Sequence, residues 1–168
     1  MRHPLVLTML LCIALVGTAL AQSNEVRVIE VPGAPLEIAS YSAEYRERGT
    51  YTTEGIHHTV TVRNVSGREI VAIGIGFNAF DAFKRYMGRP LTGIAISPLA
   101  ADATTRSMTW VQTPSASFTF ERYGIGVAYV RLVRLADGTV WEADMDHVLR
   151  QLQEIEDGLT LEDLDETR

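Results

Sequence analysis

The sequence predicts an all-β fold, an antiparallel β-sandwich of about seven to nine strands with a C-terminal α-helix. Between residues 25 and 142, short stretches rich in β-branched and aromatic residues alternate with turn residues every ten to fifteen positions. This region contains few helix signals. After residue 144 the apolar residues recur at spacings of three and four, which is the period of a helix.

Nine short segments have the composition of strands. The first ends at Pro32 and Gly33, and Asn64, Ser66 and Gly67 mark a later turn, because these residue types tolerate turn geometry. The predicted strands are residues 26–31, 36–46, 56–65, 70–80, 91–96, 107–111, 117–120, 125–135 and 139–141. Short strands at this spacing predict antiparallel pairing.

Residues 70–80 form the predicted central strand. Its core face carries the apolar residues Val71, Ile73, Ile75 and Phe77. The opposite face carries the small residues Ala72, Gly74, Gly76 and Asn78. Small side chains in a strand are typical of a position where another group packs closely.

The helical period after the strands has start and stop signals. Asp144 is the predicted N-cap of a helix whose apolar residues recur through Ile155, and Gly158 is its predicted C-terminal glycine. Residues 160–163 have the pattern of a capping box, which predicts a second, very short helix.

Two stretches resemble bacterial immunoglobulin-like sandwich domains of uncharacterised exported proteins. Residues 59–83 include T-V-T-V-R-N-V-S-G-R-E-I-V-A-I-G-I-G-F-N-A-F-D, a strand, an Asn-x-Ser-Gly turn and a long apolar strand ending in Asp. Residues 127–144 read V-A-Y-V-R-L-V-R-L-A-D-G-T-V-W-E-A-D, a closing hairpin in which Asp137 and Gly138 favour a tight turn. The chain lacks the two core cysteines and the strand-C tryptophan of antibody-type domains. By analogy, the resemblance implies a binding or structural role.

The first 21 residues have the organisation of a cleavable secretory signal peptide. A short basic start precedes an apolar run over residues 5–16, and residues 19–21 read A-L-A, which fits an A-x-A cleavage site. The run is shorter than the roughly 20 residues that a spanning helix needs, so we expect no membrane insertion after cleavage at Ala21. The one cysteine, Cys12, leaves with this peptide. A cysteine-free exported chain fits the bacterial periplasm or exterior.

The remaining chain divides into a predicted sandwich domain, residues 22–143, and an acidic helical tail, residues 144–168. Loss of Arg2 leaves 14 basic and 21 acidic residues, a formal net charge of −7 against −6 for the full sequence. Nucleic-acid binding depends on phosphate neutralisation by basic residues, so the charge argues against it. The charge argues equally against binding to an anionic membrane surface.

No motif predicts a catalytic, metal or cofactor site. Residues 74–79 match G-x-G-x-x-A but lie inside a strand, without the following helix that binds a dinucleotide. His57 and His58 are strand neighbours that point to opposite faces, so we expect surface or partly buried positions and no shared metal. The acidic residues within 142–146 lack the glycine and later glutamate of a calcium loop.

A small hydrolase with an unrecognised site is the alternative from a different class. It would be supported by a cleft in which His57 or His58 lies beside Asp81 or another acid, with a hydroxyl group within hydrogen-bond reach. No sequence spacing selects such a triad.

Two sets of residues are candidates for protein contact. The apolar stripe of the helix either folds back on the sandwich or docks on a partner, and it consists of Met145, Leu149, Leu152 and Ile155. Arg131 and Arg134 lie in the closing hairpin near aromatic residues, and arginine is enriched in binding hot spots. Their alternative role is an ordinary solvent face.

These observations predict a non-enzymatic exported protein with a binding or structural role in the cell envelope. Its partner is expected to be an envelope protein or a second copy of the chain, and a subunit of a larger envelope assembly is a further alternative. Truncation after Asp144 is expected to leave the sandwich folded but to change association.

Overall fold

The computed structural model describes residues 24–113 and 123–165. In this part of the chain, the elements are β1 (Glu25–Ile29), β2 (Leu36–Arg46), β3 (Gly55–Asn64), β4 (Ile70–Asp81), β5 (Leu91–Leu99), β6 (Met108–Gln112), β7 (Tyr123–Leu135), β8 (Val140–Glu142), α1 (Met145–Gln153) and a 3₁₀ helix (Leu161–Leu164). The prediction of an all-β chain with a C-terminal helix is confirmed. The predicted strand at 117–120 and the predicted signal peptide lie outside the described residues.

The strands form two sheets that pack face to face. The larger sheet has the order β1-β7-β4-β5, with β8 also beside β7, and the smaller sheet has the order β2-β3-β6. Each described pairing is antiparallel except that of β1 with β7, which is parallel. The prediction of antiparallel strands is therefore wrong for β1. The next strand along the chain, β2, lies in the other sheet, so no hairpin constrains the direction of β1.

The core lies between the two sheets. The smaller sheet contributes Val60 and Val62 of β3, and the larger sheet contributes Ile75 and Phe77 of β4 and Val133 of β7; all five are fully buried. Within residues 24–113 and 123–165, no helix has the length and apolar character needed to span a membrane.

Two predicted turns are confirmed. Gly138 adopts a φ of 88° between β7 and β8, a conformation that glycine reaches without a steric cost. In the predicted turn after β3, Gly67 adopts a φ of 68° and the side-chain oxygen of Asn64 accepts from the backbone N–H of Ser66 at 3.0 Å. The Asn64 side chain is fully buried, and its Nδ2 donates to the carbonyl oxygens of Leu99 and Ala100, each at 3.0 Å. This amide therefore joins the smaller sheet to the end of β5.

The inward face of β4 is only partly as predicted. Ile73, Ile75 and Phe77 face the core, but Val71 is half-buried and Ile70 is fully buried in its place. The pairing of β4 with both neighbours shifts between Ile70 and Ala72. Such a bulge adds one residue to a strand and reverses the alternation of its faces, so the prediction for Val71 is wrong.

The small residues on the other face of β4 are covered as predicted. A Cβ atom at Gly74 would lie 2.7 Å from Cγ of Leu132 and 3.2 Å from Cδ1 of Ile94. A Cβ atom at Gly76 would lie 2.6 Å from Cε2 of Tyr129. Side chains of the neighbouring strands therefore cross the surface of β4 at both glycines.

Helix α1 packs on the outer face of the larger sheet. Val148 and Leu152 of the helix are fully buried there against Val127 and Tyr129 of β7. Ala128, between these two residues of β7, faces the core between the sheets instead. The helical tail and the sandwich therefore share a core. Asp144 caps α1 as predicted, since its carboxylate accepts from the backbone N–H groups two and three residues later.

The end of α1 differs from the prediction. The helix stops at Gln153, and its C-cap Glu154 keeps right-handed helical geometry. Gly158 lies beyond the helix and is not its C-terminal glycine, because the helix ends without the left-handed residue that glycine would supply. The predicted capping box is confirmed, since the backbone N–H of Thr160 donates to Asp163 at 2.9 Å.

Candidate functional site

The two histidines lie inside the protein. His58 is fully buried between the sheets, and His57, 8% exposed, points away from it and contacts the carbonyl oxygen of Thr53 at 2.8 Å. The expectation of surface or partly buried positions is therefore wrong for both. Strand β3 is the middle strand of its sheet, and this position follows from pairings distant in sequence.

A one-way chain of hydrogen bonds fixes the protonation of His58. Gln112 donates its side-chain amide to the carbonyl oxygen of Arg89 at 2.6 Å, so its amide oxygen must accept from Nε2 of His58, at 3.1 Å. Nδ1 of His58 therefore accepts from the hydroxyl of Tyr41, at 2.9 Å. With His58 in this tautomer, the three hydrogen bonds join β2, β3 and β6 to the turn before β5.

Burial keeps the imidazole neutral. Desolvation lowers the pKa of His58 to about 4, with a smaller contribution from neighbouring His57, while the hydrogen bond to Gln112 opposes the shift. The ring stacks on Phe77 with centroids 4.5 Å apart. Burial also raises the pKa values of Tyr41 and Tyr123. The cluster is a neutral polar contact within the core.

The requirements for a hydrolytic triad are not met in the described residues. His58 is bonded to a phenol and an amide, and His57 to a backbone carbonyl. The carboxylate of Asp81 instead closes its own turn, accepting from the backbone N–H groups of Phe83 at 2.8 Å and Arg85 at 2.9 Å. Across residues 24–113 and 123–165, no three metal-ligating side chains form a group.

The apolar stripe of α1 is covered by the sandwich. Leu152 is fully buried, and Met145, Leu149 and Ile155 pack against the same cluster. The stripe thus takes the first of its two predicted roles, packing on its own chain, and a docking role would require it to leave that core.

A second apolar surface, which is partly exposed, lies on the same outer face of the larger sheet. We call it the β5 face, and it consists of the exposed residues Ile94 and Ile96 and the half-buried residues Ala72 and Leu132. Ile94 is 49% exposed and Ile96 is 83% exposed. No residue of β5 is charged. Contiguous exposed apolar residues mark protein contact sites far more often than isolated ones do.

The two predicted arginines lie in different surroundings. Arg134 is exposed and pairs across the sheet with Ala72, so it borders the β5 face. Arg131 is half-buried and lies at a bulge, where the pairing of β4 with β7 passes directly from Leu132 to Val130. The structure thus groups only Arg134 with the exposed isoleucines.

Sequence reasoning missed Ile94 and Ile96 as surface residues. An available signal was the uncharged segment 91–99, in which isoleucines alternate with small residues and proline stands at positions 90 and 98. Prolines near an uncharged strand are typical of the edge of a sheet.

Comparisons with known proteins identify a fold relative only. No protein-family model and no curated protein matches the chain. A solved structure of a hypothetical protein from Peptoclostridium difficile 630 is similar with a TM-score of 0.53 and 10% sequence identity, covering 71% of this chain and 92% of that one. At this identity the similarity concerns the fold alone.

Proposed function

We propose that this chain is an exported, non-enzymatic, immunoglobulin-like sandwich that acts by protein–protein contact in the bacterial cell envelope. The exposure of Ile94 and Ile96 on the β5 face is the observation that carries the proposal. Leaving such residues in water forgoes about 25 cal/mol per Å² of apolar surface that a partner would bury. The neighbouring Arg134 supplies a residue type enriched in hot spots.

The strand order supports an immunoglobulin-like topology. Suppose that β2 to β8 correspond in order to the seven strands A to G of an immunoglobulin domain. The first, second and fifth of them (β2, β3 and β6) then form one sheet, and the third, sixth and seventh (β4, β7 and β8) lie in the other. This is the division of A, B and E from C, F and G in immunoglobulin domains. The fourth strand, β5, pairs with the third, and β1 is an addition beside the sixth.

On the outer face of the larger sheet, the β5 face is a better candidate for protein contact than α1. The helix buries its own stripe against the sandwich, so exposing it would cost the packing of Val148 and Leu152. Contact through the β5 face requires no such rearrangement. This face is also the candidate contact if the chain is a subunit of a larger envelope assembly.

Affinity capture with matched variants tests the proposal. The baits are residues 22–168, the Ile96→Lys variant and, as a control, Leu161→Lys, at a residue 45% exposed on the 3₁₀ helix. We expect a partner that the wild type and the control retain and that Ile96→Lys loses. A partner retained by Ile96→Lys, or no partner with any bait, would contradict contact through this face.

Export has its own test. The signal-peptide proposal predicts that protein recovered from the native cells begins at Gln22 and fractionates outside the cytoplasm. Recovery of the chain with Met1 in the cytoplasm would contradict it.

A further inference from the structure

The open edge of β5 is protected at its two ends but not along residues 91–96. Strand β5 ends the larger sheet, and within the described residues no strand pairs with its outer side. Natural edge strands carry charges, prolines or bulges that prevent pairing with another chain. Pro90, Pro98 and a register shift beside Pro98 protect the two ends of this edge, whereas residues 91–96 include no charge and no proline.

Backbone groups of both exposed isoleucines face this edge. The carbonyl oxygen of Ile94 accepts from Nε1 of Trp110, in the other sheet, at 3.4 Å, so it points away from β4. Alternate residues of a strand direct their backbone groups to the same side, so those of Ile96 also face the edge. The Ile94 carbonyl keeps a second lone pair for another donor.

We propose that the β5 edge pairs with the β5 edge of a second copy of this chain, in antiparallel fashion around a two-fold axis at Ala95. This inference rests on the proposed function, because it names the partner of the β5 face. The axis places each Ile94 opposite the partner's Ile96, and the two pairs bury one another on one continuous outer face.

Charge supports this arrangement. A second copy of an acidic chain must approach where its own charges are absent, and β5 is uncharged. An uncharged edge therefore lets two acidic copies approach without like charges facing one another.

The size of the contact sets its strength. One short strand and two isoleucines per copy bury less than the roughly 800 Å² per partner of a standard stable interface. The expected dimer is therefore reversible, with a dissociation constant on the order of micromolar or weaker.

Disulfide trapping tests the register. Residues 22–168 contain no cysteine, so Ile94→Cys and Ile96→Cys variants each carry a single thiol. Opposite residues of a hydrogen-bonded antiparallel pair have Cα atoms about 5.5 Å apart, within the range of a disulfide. A mixture of the two variants should form 94–96 dimers at least tenfold faster than Val140→Cys, on β8, forms its own dimers. It should also form them faster than either variant alone.

Sedimentation of residues 22–168 over a concentration series supplies the second measurement. We expect a monomer–dimer equilibrium that Ile96→Lys weakens at least tenfold and Leu161→Lys leaves unchanged. A wild-type chain that stays monomeric, with no preference for 94–96 disulfides, would overturn the inference. If Ile96→Lys nevertheless loses a different captured protein, the proposed function stands and only the second copy is wrong.

Discussion

Acidification should destabilise this protein through His58. The folded-state pKa of about 4 lies below the value of about 6.5 expected in the unfolded chain. Between these values the unfolded chain takes up a proton that the folded chain does not, so the free energy of unfolding falls as the pH falls. Complete passage through this window removes about 3 kcal/mol. This loss is large beside a total stability of about 5–15 kcal/mol.

Denaturant unfolding at pH 7.5 and pH 4 measures the effect. The His58→Gln variant is expected to be less stable than the wild type at pH 7.5 but to lose about 3 kcal/mol less on acidification, because no imidazole is left to charge. His147→Gln, on α1, is a comparison variant that removes an imidazole outside the space between the sheets. An identical loss in the wild type and His58→Gln would refute the reasoning.

Three further predictions concern packing, and each is checked by denaturant unfolding. Leu152→Ala should lower the free energy of unfolding by about 2–5 kcal/mol by leaving a cavity under α1, whereas Leu161→Ala at an exposed site should change it by less than about 0.5 kcal/mol. Gly76→Ala should cost about 1–3 kcal/mol by collision with the tyrosine ring above it, while Gly158→Ala, with no atom within 4 Å, should be nearly neutral. Truncation after Asp144 should destabilise the sandwich by exposing the shared core, and an undiminished unfolding midpoint would contradict this.

Local signals were sufficient for most of the strands and caps. Asp137 and Gly138 form the turn that their residue types favour, and Asp144 caps the helix that follows it. Each of these features depends on a few adjacent residues, so the sequence carries the information directly. The buried face of β3 was also evident as an alternation of apolar residues.

The errors concern features set by distant strands. The bulge at Val71 arises from the pairing of β4 with two neighbours, and the burial of His58 follows from a central place in the smaller sheet. The exposure of Ile96 depends on β5 being last in its sheet, and the prolines at positions 90 and 98 are a local signal of that place, although they do not show which strand β5 pairs with. The candidate site was therefore missed in the sequence, and only Arg134 of the predicted contacts lies beside it.

Photo-crosslinking in the native cells tests contact through the β5 face most directly. A photoreactive residue replaces Ile96 in the full-length chain, and a second variant carries it at exposed Leu161. We predict a defined protein adduct from position 96, whether with a second copy or with a different protein, and none from position 161. An adduct from position 161 alone, or none from position 96, would contradict the β5 face as the contact surface.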